Sequence, residues 1–599
     1  MAKELLKRAD VPDKYKWKIT DIYETDELWE KEYNILKERL KEFDSFHGKT
    51  GESAESLLGV LKLNDELSLI LDRLYVYANM RFHEDSSNDK YQSLSDKADM
   101  IAVEFSEATS FITPEITELS ADKVKEYISA LDELKIYEHF LENILRCKEH
   151  ILSKDIEKLL SKTGEIAAAP QNIFTMINDA DISFPDVIND KGEKVPLTKG
   201  SYVSFMESSD RDVRKTAFEA LYDTYLKQEN TLAMTYASSV KKDVFYSKIR
   251  NFSSSLEAAL DDDKIPVSVY DNLISAVNKN LHLMHRYVSL RKKMLGVDKL
   301  HMYDLYAPLV ADSDKKITFE EAKEIILKAL EPMGDDYIEN LKKGFDGGWI
   351  DVYENKGKRG GAYSWGTYSV HPYVLLNHND TVNSMFTIAH EMGHALHSLY
   401  TWQKQPYLYS GHKIFVAEVA STVNEALLME YLLKTTEDNR FTAFLINYFM
   451  EQFKGTFFRQ AMFAEFEAKT HELVENGTPL TCALMKDIYH KLNEKYFGVD
   501  IVIDERIDIE WARIPHFYNA FYVYQYSTGY SAAISLSRMI LNEGKSAADR
   551  YKDFLSKGDS EYSIDLLKGA GIDMTTEKPF EDAMKVFEQL IERMEKMVL

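Results

Sequence analysis

The sequence predicts a mainly α-helical protein with one short β-rich region. Glycine and proline, the residues least tolerated inside helices, number only 25 and 13 among 599 residues. Apolar residues recur at three- and four-residue steps in segments such as 57–76 and 127–151. A chain of this length buries a large core, so we expect one large helical assembly or a few helical domains.

The first third of the chain is charged and helical in pattern. Residues 26–180 predict a helical bundle without recognisable chemistry. Around 181–192 the pattern changes to short alternating pieces with a turn at Asp190 to Gly192, which predicts a small hairpin. We therefore place a domain boundary there and divide the chain into residues 1–195 and 196–599.

Helical periodicity resumes over 210–250 and 267–295, and again from about 417 to the end. Between 344 and 379 glycine and aromatic residues cluster instead, which predicts short strands joined by glycine turns. A strand at 372–377 precedes the next helix and is placed to pair with an extended peptide. An ordinary structural strand is the alternative.

Composition excludes several classes of partner. The net charge of −26 disfavours nucleic acid and anionic membranes, which both attract basic proteins.

Two cysteines, Cys147 and Cys482, cannot supply a disulfide framework. The stretch Met1 to Arg8 lacks the apolar core of a signal peptide, and no long uncharged apolar stretch follows. We expect a cytoplasmic protein.

The most informative motif is His390-Glu391-Met392-Gly393-His394, inside a predicted helix over 382–400. Residues four apart share a helix face, so both imidazoles can reach one cation. Glu391, one step round, then points at the water molecule of that cation. This arrangement is typical of a zinc hydrolase, and the alternative is a pair of inert core histidines.

Two other His-Glu pairs serve as controls. Neither His83-Glu84 nor His471-Glu472 has a second histidine at the fourth position, so neither can form a two-histidine site in this way. Only the motif at 390–394 stays a candidate.

A catalytic zinc ion usually takes three protein ligands, so a third must be found. The metzincin spacing requires a histidine ten residues after His390, but Tyr400 stands there. His397 returns to nearly the same face, but it lies roughly 10 Å along the helix from His390. Both completions are therefore disfavoured.

A carboxylate on a second helix is the third possibility. Glu418 follows His394 by 24 residues, which leaves room for a loop and a returning helix. Glu425 lies seven residues further and shares that helical face. We place Glu418 first as the ligand and Glu425 as the group that orients a histidine, with the reverse assignment still open.

Four segments carry a family resemblance: Arg359 to Tyr363, Pro372 to Asn377, the histidine motif extended to His397, and Phe415 to Glu418. Together they resemble the oligoendopeptidase F branch of the thimet oligopeptidase family. The resemblance runs over most of the chain. It implies a large, mainly α metallopeptidase with a deep substrate channel and a small β-sheet next to the zinc-binding helix. By this resemblance His390, His394 and Glu418 bind one Zn²⁺ per chain, and Glu391 is the catalytic base.

Hydrolysis of an amide also needs donors for the oxyanion of the tetrahedral intermediate. One histidine and five tyrosines fall within fifteen residues from His516. An aromatic core helix is the alternative, but the family uses a histidine and tyrosines in this region. Tyr518, Tyr522 and Tyr526 would share one helical face at four-residue steps. We select His516 first and Tyr522 second, with Tyr524 also in the cluster.

These observations predict a zinc endopeptidase that cleaves internal bonds of oligopeptides. By resemblance, its substrates are short peptides, because a channel enclosed by helices admits only unstructured chains. A zinc carboxypeptidase of related architecture is the alternative, although no residue clearly claims the substrate's terminal carboxylate. A binding protein with a structural zinc ion is less consistent with three ligands, because structural sites fill four positions with protein groups.

Overall fold

A computed structural model describes residues 5–310 and 315–598. Residues 1–4, which belong to the N-terminal stretch considered above, lie outside the described residues. Within these ranges the protein contains 24 α-helices and seven short β-strands, so the prediction of a mainly α fold is confirmed.

The helices of the first half are α1 (Asp26–Arg39), α2 (Ala54–Glu84), α3 (Asp89–Thr109), α4 (Ile112–Glu118), α5 (Ala121–Ala130), α6 (Glu138–Arg146), α7 (Lys154–Thr175), α8 (Lys199–Met206), α9 (Arg211–Leu226), α10 (Glu229–Ile249), α11 (Ser255–Asp261), α12 (Val267–Lys279) and α13 (Leu281–Leu295). Those of the second half are α14 (Phe319–Ala329), α15 (Asp335–Asp346), α16 (Val382–Lys404), α17 (Ile414–Thr435), α18 (Asn439–Gln452), α19 (Arg459–Glu475), α20 (Cys482–Phe497), α21 (Tyr524–Glu543), α22 (Lys545–Leu555), α23 (Ser563–Ala570) and α24 (Lys578–Val598).

The strands are β1 (Val187–Ile188), β2 (Lys194–Val195), β3 (Leu300–His301), β4 (Ile350–Asp351), β5 (Tyr363–Gly366), β6 (Pro372–Leu375) and β7 (Ile501–Val502). β1 and β2 form the predicted hairpin, with Gly192 at a φ of 75° in its turn. That backbone conformation favours glycine because it has no Cβ. β3 pairs with β7 in parallel.

The chain forms two compact units. The first takes the described residues up to 149 together with 315–431 and 536–571, and the second takes 150–310, 432–535 and 572–598. Each unit is built from stretches that are distant in sequence. The division predicted at residue 195 describes two domains that follow each other along the chain, and it stays a prediction.

Local sequence explains where the helices of the first unit begin. Thr25 and Ser53 precede α1 and α2, and each side-chain oxygen accepts a hydrogen bond from a backbone N–H of the first turn. The apolar faces of these helices meet in a core that includes the fully buried Trp29 and Leu57. Tyr373 of β6 belongs to the same core, so this core anchors the central strand of the three-stranded sheet.

That sheet lies beside α16, as predicted, and has the order β4-β6-β5. β6 pairs in parallel with β4 and antiparallel with β5, and all four of its residues are buried. The prediction that the strand at 372–377 could itself accept a peptide strand is therefore wrong, because both of its edges are already paired. The sheet has β4 and β5 at its edges instead.

Among the described residues, no helix is both long and apolar enough to cross a membrane.

Candidate metal centre

The helix α16 presents the two histidines of the motif on one face. Thr381 caps the helix by accepting a hydrogen bond from the backbone N–H of Ser384 at 3.1 Å. Four residues correspond to about one turn, so His390 and His394 follow each other along the axis. Their ring centroids lie 4.9 Å apart with an interplanar angle of 81°. Both rings can thus direct a nitrogen towards one point.

The second helix, α17, packs very closely against α16 at Gly393. A Cβ at this position would lie 2.6 Å from the carbonyl oxygen of Ala420 and 2.7 Å from the Cα of Ser421. Next to this contact, the buried Asn424 donates a hydrogen bond to the carbonyl of Ala389 at 3.1 Å. Glycine at 393 therefore permits the backbone approach that brings the two helices together.

This approach brings Glu418 to the two histidines. Its Oε2 lies 3.5 Å from Nε2 of His390 and 3.6 Å from Nε2 of His394. Ligands about 2.1 Å from a tetrahedral zinc ion are separated by roughly 3.4 Å. The spacing and the donor set of two imidazoles and one carboxylate therefore fit a zinc ion. His390, His394 and Glu418 form a group of potential metal ligands.

Glu425 contacts His390 on the other side of its ring. The Nδ1 of His390 lies 2.5 Å from Oε1 of Glu425, so Nδ1–H donates to the carboxylate and Nε2 faces the ligand group. Burial disfavours the charged imidazole, but the hydrogen bond and charge of Glu425 raise the pKa of His390 to about 9. The ring orientation is therefore fixed by a carboxylate that does not belong to the ligand group.

Glu418 is oriented by its own helix. The hydroxyl of Ser421 donates to Oε2 of Glu418 at 3.0 Å. Burial acts to raise the pKa of this carboxyl, but the interaction with His394 outweighs it and lowers the pKa to about 2. Glu418 is consequently ionised over the whole physiological range, as a metal ligand must be.

Glu391 lies between the two histidines in the sequence. Its side chain is buried, and the residue is 7% exposed. Burial raises the pKa of its carboxyl, although the neighbouring His390 and His394 act in the opposite direction. A carboxyl whose pKa moves towards neutrality is suited to taking up and releasing a proton.

His397 does not join the ligand group. It is 1% exposed and stacks on His412, with ring centroids 4.1 Å apart and an interplanar angle of 16°. Burial lowers the pKa of His397 well below its usual value. It is a neutral core histidine, consistent with the distance argument that disfavoured it as a ligand.

A second polar cluster lies in the other compact unit, around His516. The rings of His516 and Tyr522 are parallel with centroids 5.8 Å apart, and the hydroxyl of Tyr526 lies 3.5 Å from Nε2 of His516. The ring centroids of Tyr522 and Tyr526 are 5.5 Å apart. Three side chains able to donate hydrogen bonds are thus collected at one place.

The prediction that Tyr518, Tyr522 and Tyr526 share one helical face is wrong. Residues Pro515–Tyr518 form a short 3₁₀ turn and α21 begins only at Tyr524. Tyr518 is buried and stacks on Phe174 instead, at a centroid distance of 4.4 Å. A continuous α-helix is excluded because Asn519 has a φ of −116° and a ψ of 86°, and Phe521 has a φ of 57°.

Ser421 and Asn424, whose hydrogen bonds hold Glu418 and the two helices of the candidate site in place, were not among the predicted site residues. The available signal was their spacing: Ser421 is three residues after Glu418 on the same helix, and Asn424 precedes Glu425. A serine or an asparagine inside an apolar helix often indicates a buried hydrogen bond. Tyr337 supports Asn424 by donating to its Oδ1 at 2.8 Å.

The comparisons with known proteins agree with this architecture. The family model described as Peptidase family M3 matches residues 204–586, and the model described as Oligopeptidase F matches residues 115–184. Oligopeptidase PepF of Bacillus subtilis is 47% identical over 100% of this chain and 89% of its own length. Group B oligopeptidase PepB of Streptococcus agalactiae is 41% identical over 99% of this chain and 98% of its own.

A solved structure extends the likeness to the fold. The crystal structure of oligoendopeptidase-F from Enterococcus faecium superposes with a TM-score of 0.75 at 38% sequence identity. The match covers 96% of this chain and 99% of that one.

Proposed function

Because the chain belongs to peptidase family M3, in its oligoendopeptidase F branch, we propose that it is a zinc-dependent endopeptidase acting on short oligopeptides. The observation that carries this proposal is the ligand geometry. The carboxylate oxygen of Glu418 lies from each imidazole nitrogen at the spacing expected between two ligands of a tetrahedral zinc ion, and the three atoms, from two closely packed helices, lie within 4.8 Å of one another.

In this proposal His390, His394 and Glu418 hold one zinc ion per chain. Zinc, when bound, lowers the pKa of a coordinated water to about 7 and polarises the scissile carbonyl. Glu425 keeps His390 in the tautomer that presents Nε2, and Ser421 orients the carboxylate of Glu418. Three ligands leave one position open for reactants.

Glu391 is the proposed general base. Its carboxylate accepts a proton from the attacking water and later delivers that proton to the nitrogen of the leaving amine. Burial favours the protonated form, so the group can hold the proton between these two steps.

His516 and Tyr522 are the proposed hydrogen-bond donors to the oxyanion. Support comes from the family resemblance and from their parallel stacking in one cluster with Tyr526. Burial lowers the pKa of His516, so the ring is neutral near pH 7 and donates through one N–H. Phenol and imidazole donors aimed at the developing charge strengthen in the transition state.

The peptide itself is proposed to bind in an extended conformation along an edge of the sheet beside α16. β5 is an edge strand with unpaired backbone groups on one side, and backbone pairing accepts many sequences. This mode suits a peptidase that degrades diverse oligopeptides, and it requires the substrate to be unfolded.

End-blocked peptides of graded length test the proposal. An N-acetylated, C-amidated peptide should be cut at an internal bond, detected by mass spectrometry of both products. A chelator should abolish cleavage and added zinc should restore it. A zinc carboxypeptidase would leave the amidated peptide intact and cut only its free-acid form, so that pattern would contradict the proposal.

Substrate size is tested in the same assay. Intact casein should resist cleavage while its peptide fragments are consumed, because only unstructured short chains are proposed to reach the site. Equal rates for casein and its fragments would refute the restriction to oligopeptides.

A further inference from the structure

The arrangement of His516 and Tyr522 depends on the segment between them. The backbone N–H of Asn519 donates to the carbonyl of His516 at 2.9 Å, and that of Tyr522 donates to the carbonyl of Asn519 at 3.3 Å. The first of these hydrogen bonds closes the 3₁₀ turn Pro515–Tyr518, and residues 519–523 after it belong to no helix or strand. The backbone of residues 519–523 therefore sets the direction in which the Tyr522 ring points.

Phe521 is the unusual residue of this segment. Its φ of 57° lies in the left-handed region, which a bulky residue with a Cβ rarely occupies. Such a conformation is unfavourable for a residue with a Cβ, and it persists only where surrounding contacts impose it. The conformation of Phe521 thus requires a structural cause outside the segment.

One cause is packing of the Phe521 ring. The residue is 2% exposed, and its ring centroid lies 4.5 Å from that of His471 and 5.9 Å from that of Tyr270. This packing fixes the side chain. It does not select among the backbone conformations that can deliver the ring to the same place.

The second cause acts on the backbone directly. Oε1 of Glu467, in α19, accepts a hydrogen bond from the backbone N–H of Phe521 at 3.0 Å. Glu467 is 0% exposed, and its other oxygen, Oε2, has no hydrogen-bond partner. A carboxyl buried without a cation is costly, so its retention at this place needs a reason.

The protonation state of Glu467 follows from its surroundings. Burial raises its pKa well above the usual value, and the charge of Asp243 adds to this, while the N–H of Phe521 opposes it. The neutral carboxyl still offers a carbonyl oxygen as acceptor. A neutral glutamine side chain can therefore replace it in this one interaction.

We propose that Glu467 is a positioning residue for the peptidase reaction: by holding the backbone N–H of Phe521, it keeps the left-handed turn that orients Tyr522 beside His516. The inference rests on the proposed role of these two donors. Glu467 touches neither substrate nor metal in this account, and it acts only through the loop.

The test compares three variants of the full-length zinc enzyme. Glu467→Met removes the acceptor, Glu467→Gln keeps it, and Tyr270→Phe is the matched control. The control deletes another buried hydrogen bond to α19, from the Tyr270 hydroxyl to the carbonyl of Ala464 at 2.6 Å, and keeps the ring against Phe521.

The Glu467→Met enzyme should show a kcat about 10- to 100-fold lower with a nearly unchanged KM, because a misplaced donor affects the transition state more than substrate binding. Glu467→Gln should restore most of kcat, and Tyr270→Phe should keep it. Should Glu467→Met not fold, Glu467→Asp gives the same test, because its shorter side chain withdraws the acceptor. An equal loss in Glu467→Met and Tyr270→Phe would overturn the inference.

A double-mutant cycle separates this inference from the proposed function. If Glu467 acts through Tyr522, then Glu467→Met should lower kcat far less in a Tyr522→Phe background than in the wild type. Additive losses would reject the inference while leaving the proposed function intact. If Tyr522→Phe and His516→Ala alone leave kcat unchanged, the proposed donor role itself fails.

Discussion

The proposed metal ligands and the proposed oxyanion donors are held in two different ways. His390 and His394 stand one turn apart on a regular helix, and Glu418 stands on a second helix packed against it. His516 and Tyr522 flank an irregular segment with a left-handed residue, which is held by a side chain 54 positions away in sequence. Helical periodicity builds the first site, whereas the second depends on long-range contacts of Phe521, namely the packing of its ring and its hydrogen bond with Glu467.

The two sites therefore differ in how substitutions disturb them. Helices pack through many contacts, so a change at one ligand leaves the others in place. Only a few contacts hold an irregular turn in its conformation, so the loss of one contact lets the backbone move. We therefore expect substitutions of the proposed metal ligands to have independent effects. Substitutions around the loop at 519–523 should have coupled effects.

The largest expected effect is loss of the third ligand. Glu418→Ala should abolish zinc retention and peptidase activity, because two imidazoles alone hold zinc weakly. Glu425→Gln should weaken zinc affinity only about 10- to 100-fold, as expected for a group that orients a ligand. Metal analysis after dialysis and competition with a zinc indicator measure both.

Retention of zinc in Glu418→Ala together with its loss in Glu425→Gln would reverse the two assignments. Helical periodicity alone left that reversal open.

The next largest expected effect concerns the proposed hydrogen-bond donors to the oxyanion. Tyr522→Phe should lower kcat by about 100-fold, because it removes one hydrogen bond to the oxyanion. Tyr518→Phe is the matched control, since this tyrosine stacks on Phe174 away from the cluster. Steady-state kinetics on an end-blocked peptide measure both variants, and equal rates for the two would remove Tyr522 from the reaction.

Zinc affinity should depend on pH through His390. Glu425 raises the pKa of His390 to about 9, so zinc must displace a proton from this ring at any lower pH. Affinity should therefore increase about tenfold per pH unit as the pH rises towards 9. Calorimetry in buffers of different ionisation enthalpy counts the released proton.

In Glu425→Gln the same dependence should end at lower pH, because the carboxylate that stabilises the imidazolium is gone. An unchanged profile in this variant would show that Glu425 does not control His390.

The smallest expected effect tests the packing of the two metal helices. Gly393→Ala should destabilise the protein by about 1–3 kcal/mol, because the new Cβ meets backbone atoms that cannot move independently. Gly164→Ala is the control within α7, where a Cβ has nothing within 4 Å, and it should stabilise slightly. Thermal unfolding measures both, and similar shifts would show that the helices tolerate separation.

Much of the arrangement of the proposed metal ligands could be predicted because its geometry is local. His390 and His394 need only the helical repeat, and the sequence places Glu418 at a plausible distance along the chain. The close approach at Gly393 was not predictable, because it depends on which surface of α17 faces α16. Periodicity reports the buried face of one helix and says little about its partner.

The loop at 519–523 and the three-stranded sheet show which features a local sequence pattern does not predict. The tyrosine spacing suggested a continuous helix, but the conformation of Phe521 breaks it, and the contact with Glu467 lies beyond any local window. Similarly, Pro372–Leu375 is identifiable as a strand from its residues. Its place at the centre of the sheet follows from pairing with β4, more than twenty residues earlier. Long-range pairing leaves no local pattern.

The proposed role of Glu391 as general base on a zinc-bound water is tested by the variant Glu391→Gln. The variant should retain one zinc ion per chain and bind an end-blocked peptide normally, while kcat falls by about 100- to 10,000-fold because the proton acceptor is gone. Metal analysis and mass spectrometry of the digest should be performed on the same preparation. Full zinc occupancy with undiminished cleavage would contradict the proposed mechanism.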